Sequence, residues 1–312
     1  MRVVLSADME AVAQISDVRE VLACRPEYWE TGRRYLTDDV VAAATGLLEG
    51  GASEVVVLDN HGSGNPWNVL LDELPAGVRG ESWNVFDLAV HGIDGLLQVG
   101  YHPRAGVAGF VPHSYIPGLR LSVDGEEISE SHGRIWAART ALVGIVGHAA
   151  HERTLGTLSD TPFLVVQDGE DPHRTTPLFA DAGQGAEAIR EFASRAMRGI
   201  ADAPRPEPPA DATFQAIIDD ANDEQAARMQ AAGWTRAADT RFIIQLSRWA
   251  DARDPLAVAM GAAMAPFSDT FTALDLTSPQ AFAQQDHERL NRLTSLFLDW
   301  TARMTVADDT PT

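Results

Sequence analysis

Three short apolar runs constrain this chain more than any other feature. Residues 3–7 (VVLSA), 54–58 (EVVVL) and 96–99 (LLQV) are brief and continuous, the first two rich in β-branched valine. Runs of this length and composition read as buried strands rather than as helices. Helix signals fall between and after them. Thr37 followed by Asp38 and Asp39 opens a helix through residues 40–48, which stops at Gly50-Gly51. Residues 130–147 read mostly as helix, with Ile135, Trp136, Leu142 and Ile145 as the apolar members. Residues 162–166 form another short strand and residues 185–200 an amphipathic helix. The alternation predicts an α/β fold with a largely parallel central sheet flanked by helices.

A boundary follows at residues 203–211, APRPEPPAD, which the prolines hold extended. It divides the chain into an α/β domain over residues 1–202 and a smaller α/β C-terminal portion over residues 203–312. In the latter, residues 214–218 and 241–246 read as strands. Asp254-Pro255 opens a helix through Met264, with Asp as cap and Pro at the first helical position. Ser278-Pro279 repeats the device for an added C-terminal helix. Its apolar stripe of Phe282, Leu290, Leu293, Phe297, Trp300 and Met304 reads as core or subunit packing. The tail from Val306 to Thr312 reads as disordered.

Charge and cysteine content narrow the possible partners. Acidic residues outnumber basic ones 45 to 24, giving a net charge of −21. That balance argues against a nucleic-acid or anionic-membrane partner and fits a cytoplasmic protein. No apolar run approaches the roughly 18 to 20 residues needed to span a bilayer. The N-terminus enters a strand directly, unlike a signal peptide. Cys24 is the one cysteine. It has no internal disulfide partner, so a metal site here would use histidine and carboxylate.

The end of the first strand supplies such groups. Asp8 and Glu10 stand two residues apart, and in extended backbone such residues face the same way. Like charges that close repel unless a cation lies between them or one carboxyl keeps its proton. His61 follows the second strand, in Asp59-Asn60-His61-Gly62-Ser63, and His102 follows the third, in Gly100-Tyr101-His102-Pro103. His113 lies in the next loop, and Glu130 stands where the next long helix should begin. In open α/β sheets the ligand crevice lies outside the carboxyl ends of the strands, where Asp8, Glu10, His61 and His102 all sit. Each residue alone has a plainer reading: a carboxylate after a strand is usually a solvated charge or a cap, and a lone histidine usually packs or faces solvent. Their shared position makes a metal site the stronger reading. Asp59 could be a ligand, could orient His61, or could serve the turn. His91, His132, His148, His151, His173 and His287 read as surface or helix-packing residues.

These motifs, taken in order, resemble the DppA-type D-aminopeptidases, peptidase family M55. The resemblance rests on Ser6-Ala7-Asp8-Met9-Glu10, Asp59-Asn60-His61, Gly100-Tyr101-His102-Pro103-Arg104-Ala105 and His113-Ser114, followed by Glu130. Tyr28-Trp29-Glu30-Thr31-Gly32-Arg33-Arg34 is similar to the family's Y-x-x-G-R stretch, with three residues rather than two between Tyr28 and Gly32. The likeness covers roughly residues 1–265 and is strongest before residue 135. Ala11 stands where the family has Gly, and Pro103 where it has Ala. Glu130 sits in Ser129-Glu130-Ser131-His132-Gly133 rather than G-E-x-G.

The resemblance implies a dinuclear zinc aminopeptidase with two Zn²⁺ per subunit. Its implied metal ligands are Asp8, Glu10, His61, His102 and Glu130, with Asp8 as the bridging carboxylate, and its implied catalytic residue is His113. It further implies release of N-terminal D-amino acids from short peptides by metal-activated water, and a homo-oligomer in the form of a decameric ring. On that reading the C-terminal portion serves oligomerisation and walls the pocket. Rival readings keep the metal site but give it a non-peptide or L-aminoacyl amide, or make the chain a non-catalytic metal-binding homologue. A serine hydrolase using Ser63, Ser114 or Ser131 lacks the G-x-S-x-G elbow.

Overall fold

The computed structural model describes residues 1–246 except 24, 62–66, 84, 116–117, 155–157, 159 and 220. The expected helices beginning at Asp254 and Ser278, and the tail, lie outside the described residues.

The central sheet is assembled from β1 (Arg2–Ala7), β2 (Glu54–Asp59), β3 (Val78–Gly80), β4 (Gly95–Tyr101), β7 (Ala141–His148), β8 (Phe163–Asp168) and β9 (Thr176–Pro177). Their order across the sheet is β3-β2-β1-β4-β7-β8-β9. All neighbours run parallel except the β8–β9 pair. A second, antiparallel sheet has the order β11-β12-β10-β5-β6. It contains β5 (Leu119–Val123), β6 (Glu126–Ile128), β10 (Phe214–Ile218), β11 (Thr235–Arg236) and β12 (Phe242–Leu246). Because β10 pairs with β5, this sheet takes strands from both sides of the proline-rich segment. Helices α1 (Pro26–Glu49), α2 (Glu130–Ala138), α3 (Ala149–Glu152) and α4 (Ala182–Arg198) accompany the central sheet.

The two-residue period of a strand explains why the apolar runs are continuous. Val3, Leu5, Val55, Val57, Leu97 and Val99 pack on one face, together with residues of α1 and α4. Val4, Val56, Leu58, Leu96, Leu142 and Ile145 pack on the other face, with the second sheet and α2. β1, β2, β4 and β7 are thus buried on both sides, as parallel strands usually are.

Two expectations require correction. Residues 130–147 are not one helix: α2 ends at Ala138, Arg139 takes a left-handed conformation (φ 49°, ψ 41°), and Ala141–His148 is a central strand between β4 and β8. Leu142, Val143, Ile145 and Val146 satisfy either pattern locally, and pairing on both edges decides it. The first helix begins at Pro26 rather than after Thr37. Proline suits the first helical position, and Thr37 is an interior residue. Its hydroxyl donates to the Arg33 carbonyl at 2.8 Å and accepts from the Leu70 amide at 3.0 Å.

The chain passes from β1 to β2 on one side and later to β4 on the other. The carboxyl ends of these three strands therefore flank a topological switch point. Among the described residues no helix is long and apolar enough to cross a membrane.

Candidate metal centre

Asp8 leaves the end of β1, and its backbone amide still bonds the Val99 carbonyl of β4 at 2.8 Å. Gly100 makes that approach possible. It has φ +80°, and a Cβ there would meet the Asp8 carbonyl oxygen at 2.0 Å. Ala11, further along the same loop, continues the contact by bridging to Gly100. Ala11 is not among the residues with positive φ, so alanine costs nothing in backbone strain at this departure from the family pattern. From β8, the Gln167 amide donates to the carbonyls of Glu10 (3.1 Å) and Val12 (2.8 Å) and fixes the turn.

The six side chains named from the sequence converge here. Asp8, Glu10, His102 and Glu130 are buried, and His61 and His113 nearly so. One Asp8 oxygen, Oδ1, lies 3.4 Å from His61 Nδ1, while Oδ2 lies 3.6 Å from His102 Nε2. Glu10 Oε2 is 3.1 Å from His61 Nδ1, and Glu130 Oε2 is 3.9 Å from His102 Nε2. Three overlapping sets bring their donor atoms within 4.8 Å of one another: Asp8–Glu10–His61, Asp8–His102–Glu130 and Glu10–His102–His113. Asp8 belongs to the first two, with a different oxygen facing each histidine.

Carbonyls fix the histidine tautomers, since a carbonyl only accepts. His61 Nε2 donates to the Val21 carbonyl at 2.7 Å, which leaves Nδ1 for the carboxylates. His102 Nδ1 donates to Pro103 O and His113 Nδ1 to Val111 O, each at 2.9 Å. Their Nε2 atoms face the site, with the two rings stacked 3.8 Å apart. Val111, a β-branched residue, holds its carbonyl in place at φ +45°, a sparsely populated conformation. Tyr115, on the other side of His113, has φ +59° and donates its amide to Glu130 Oε2 at 2.5 Å.

The electrostatics match the crowding of like charges. Burial pushes the Asp8 carboxyl up, but hydrogen bonding to His61 and the charge of His102 outweigh it and hold Asp8 well below the usual range. Burial and the Asp8 charge push Glu10 the other way, upward. Burial opposes protonation of His61, yet Glu10 and Asp8 raise it well above the ordinary value. Burial and then His102 lower His113. His102 Nε2 is fully buried without a hydrogen-bond partner. A lone imidazole nitrogen facing three buried carboxylates is a donor set for a divalent cation of the zinc type, and the residues fit such a group.

Sequence reasoning named Trp29 and Arg33 without a role, left Asp59 open among three, and missed Asn68 and Gln167, which brace the site with them. The Tyr28–Arg33 stretch acts through α1: Arg33 donates to Trp67 O (2.7 Å) and Asn68 O (3.1 Å), and Trp29 Nε1 donates to Asn68 Oδ1 at 3.1 Å. Asn68 in turn bonds the His61 carbonyl and the Asp59 carboxylate. Asp59 also accepts the Asn68 and Val69 amides, which makes it an anchor of the His61 loop, and it is in none of the three sets. His132, His148 and His151 are buried but also stand outside those sets, while His91 stacks on Trp83. His287 lies outside the described residues. The hydroxyls of Ser114 and Ser131 have no hydrogen-bond partner, so neither pairs with a histidine as a serine nucleophile would.

Comparison with known proteins agrees with this frame. The D-aminopeptidase of Bacillus subtilis (strain 168) is 31% identical over 125 residues, covering 38% of this chain and 44% of that protein. The match thus spans less than half the length of that relative. A solved structure described as the Zn-dependent D-aminopeptidase DppA from Bacillus subtilis, a self-compartmentalizing protease, superposes with a TM-score of 0.73 at 21% identity. It covers 85% of this chain and 98% of its own. The fold is therefore shared. The family model for D-aminopeptidases, peptidase family M55, matches residues 1–254 of the 312, and the chain belongs to that family.

Proposed function

We propose that this chain is a dinuclear zinc aminopeptidase that removes N-terminal, D-configured residues from short peptides. The observation that carries the reading is the Asp8 carboxylate, which turns one oxygen to His61 and the other to His102. Asp8, Glu10 and His61 would hold one zinc ion, and Asp8, His102 and Glu130 the second. When bound, zinc supplies Lewis acidity toward a peptide carbonyl and lowers the pKa of a water toward roughly 7.

The chain's own residues supply the proton chemistry. His113 Nδ1 is committed to the Val111 carbonyl, and burial favours the neutral ring, so Nε2 is the free proton acceptor. That atom lies 4.0 Å from Glu10 Oε1. It would accept a proton as the carbonyl is attacked and return it to the departing amine, help worth roughly 10² to 10⁴ in rate. Stacking against His102 and the carbonyl of Val111 keep the ring from turning away.

The relative described as self-compartmentalizing supports assembly into a closed homo-oligomer, and we propose a decameric ring with sites facing inward. Residues 1–202 would carry the catalytic site, and residues 203–312 would wall the pocket and join subunits. A single cysteine and an acidic composition fit a cytoplasmic location. A panel of D- and L-aminoacyl amides with their N-acylated analogues, run beside metal analysis of protein purified without chelator, tests the reading. Hydrolysis of free-amine D-substrates by protein with two zinc equivalents is expected. Preference for N-acylated or L-substrates, or protein without metal, overturns it.

A further inference from the structure

Glu130 differs from the other carboxylates of the centre in its surroundings. Its Oε1 accepts from Arg134 Nη2 at 2.9 Å and Nε at 3.3 Å, and its Oε2 accepts the Tyr115 amide. Asp8 and Glu10 form ion pairs only with histidines among the described residues. Arg134 is itself buried, four residues along α2 from Glu130. Its guanidinium lies 5.5 Å from the Tyr101 ring centroid and 5.4 Å from that of Tyr115. Tyr101 immediately precedes His102, and Tyr115 follows His113 by two residues. The Tyr101 hydroxyl also bonds Ser6 Oγ at 2.6 Å, two residues before Asp8. One guanidinium therefore touches Glu130 and the segments that carry two histidines of the centre.

A fork on Oε1 sets the plane of the carboxylate, and a buried arginine fixes it more firmly than a lysine could. The oxygen left facing His102 Nε2 is Oε2. We infer that Arg134 is a positioning residue that presents Glu130 Oε2 to a metal ion at the Asp8–His102–Glu130 position. Occupancy of that position depends on it, while the Asp8–Glu10–His61 position does not. The inference rests on the reading of the site as a metal centre.

Metal titration of the full chain tests it, with zinc competed against a chromophoric chelator and cobalt followed by its visible absorption. The wild-type chain is expected to bind two equivalents. Arg134→Met, which removes charge and fork, and Arg134→Lys, which keeps only the charge, should each weaken one equivalent by about 10- to 100-fold and leave the other unchanged. The cobalt spectrum should lose the contribution of one position, and the metal-free variants should still unfold in one cooperative transition, at a lower temperature than wild type because Glu130 loses a buried partner. If Arg134→Met does not fold, the lysine variant alone decides. Lysine at wild-type affinity, or equal weakening of both equivalents in a folded variant, overturns the inference. A wild-type chain that takes up no metal overturns the underlying reading and the inference with it. Two equivalents in wild type and in both variants, all at one affinity, overturn the inference alone.

Discussion

Gly100 lies directly beneath the carbonyl of Asp8: a Cβ at residue 100 would stand 2.0 Å from that oxygen. With φ at +80° the position is also unsuited to any side chain. The strand that carries His102 thus passes as close to the strand that carries Asp8 as backbone allows. Gly100→Ala should destabilise the fold by roughly 2–4 kcal/mol or prevent folding, because backbone rather than a movable side chain is in the way. Chemical denaturation measures this, and an alanine variant as stable as wild type would show that the two strands are not so closely apposed.

His113 takes part in one of the three donor sets, so its role has a direct test. His113→Ala is expected to keep both zinc equivalents and to lose about 10²- to 10⁴-fold in kcat. Metal analysis and steady-state kinetics on the same preparation separate the possibilities. A variant that hydrolyses peptides normally removes His113 from the chemistry, and one that loses an equivalent of zinc makes it a ligand.

Asp39 sits buried in α1 and accepts the Ala13 amide at 2.7 Å, near the end of the loop that begins at Asp8. Burial raises its carboxyl from 3.8 to about 7, against the pull of that hydrogen bond. The folded state therefore holds a proton that the unfolded chain gives up at lower pH. The associated stability is full below pH 3.8 and lost as pH rises through about 7. An Asp39→Asn substitution puts a neutral amide there and keeps an acceptor for Ala13. The melting temperature of that variant should exceed that of wild type at pH 8, with the gap shrinking toward pH 5. A gap that does not change with pH would show that Asp39 does not titrate in this range.

Arg33 holds the segment after His61 by two carbonyl bonds and lies over the Trp29 ring. Arg33→Met should cost roughly 1–3 kcal/mol by stranding those carbonyls. It should also weaken zinc at the Asp8–Glu10–His61 position more than at the other. Arg33→Lys should not restore the loss, because an ammonium cannot span both carbonyls with the same fork. Denaturation and chelator competition together measure it, and unaltered zinc affinity in a destabilised variant would confine Arg33 to packing.

Much of this arrangement is legible in the sequence because it is local. The runs at Val3, Val55 and Leu96 declare themselves as strands because both of their faces are buried. Asp8, Glu10, His61 and His102 declare themselves because strand ends are where a parallel sheet gathers its chemistry. The bracing groups act across the fold, so no local pattern states what they hold, even where a motif marks the residue. Gln167 meets the Glu10 carbonyl from a separate strand, and Arg33 reaches Asn68 across the gap from α1. The left-handed conformations of Val111 and Tyr115 occur without glycine, so nothing in the sequence signals them. Residues 141–148 mislead because a buried strand and one face of a buried helix show similar apolar residues. Only their pairing with β4 and β8 distinguishes the two.

Anomalous diffraction at the zinc absorption edge, from crystals of the full chain grown with zinc, reads out whether two metal positions share Asp8. Two peaks are expected, one among Asp8, Glu10 and His61 and one among Asp8, His102 and Glu130, with a different Asp8 oxygen toward each. A single peak, or peaks that Asp8 does not join, would rule out a carboxylate shared between two metals.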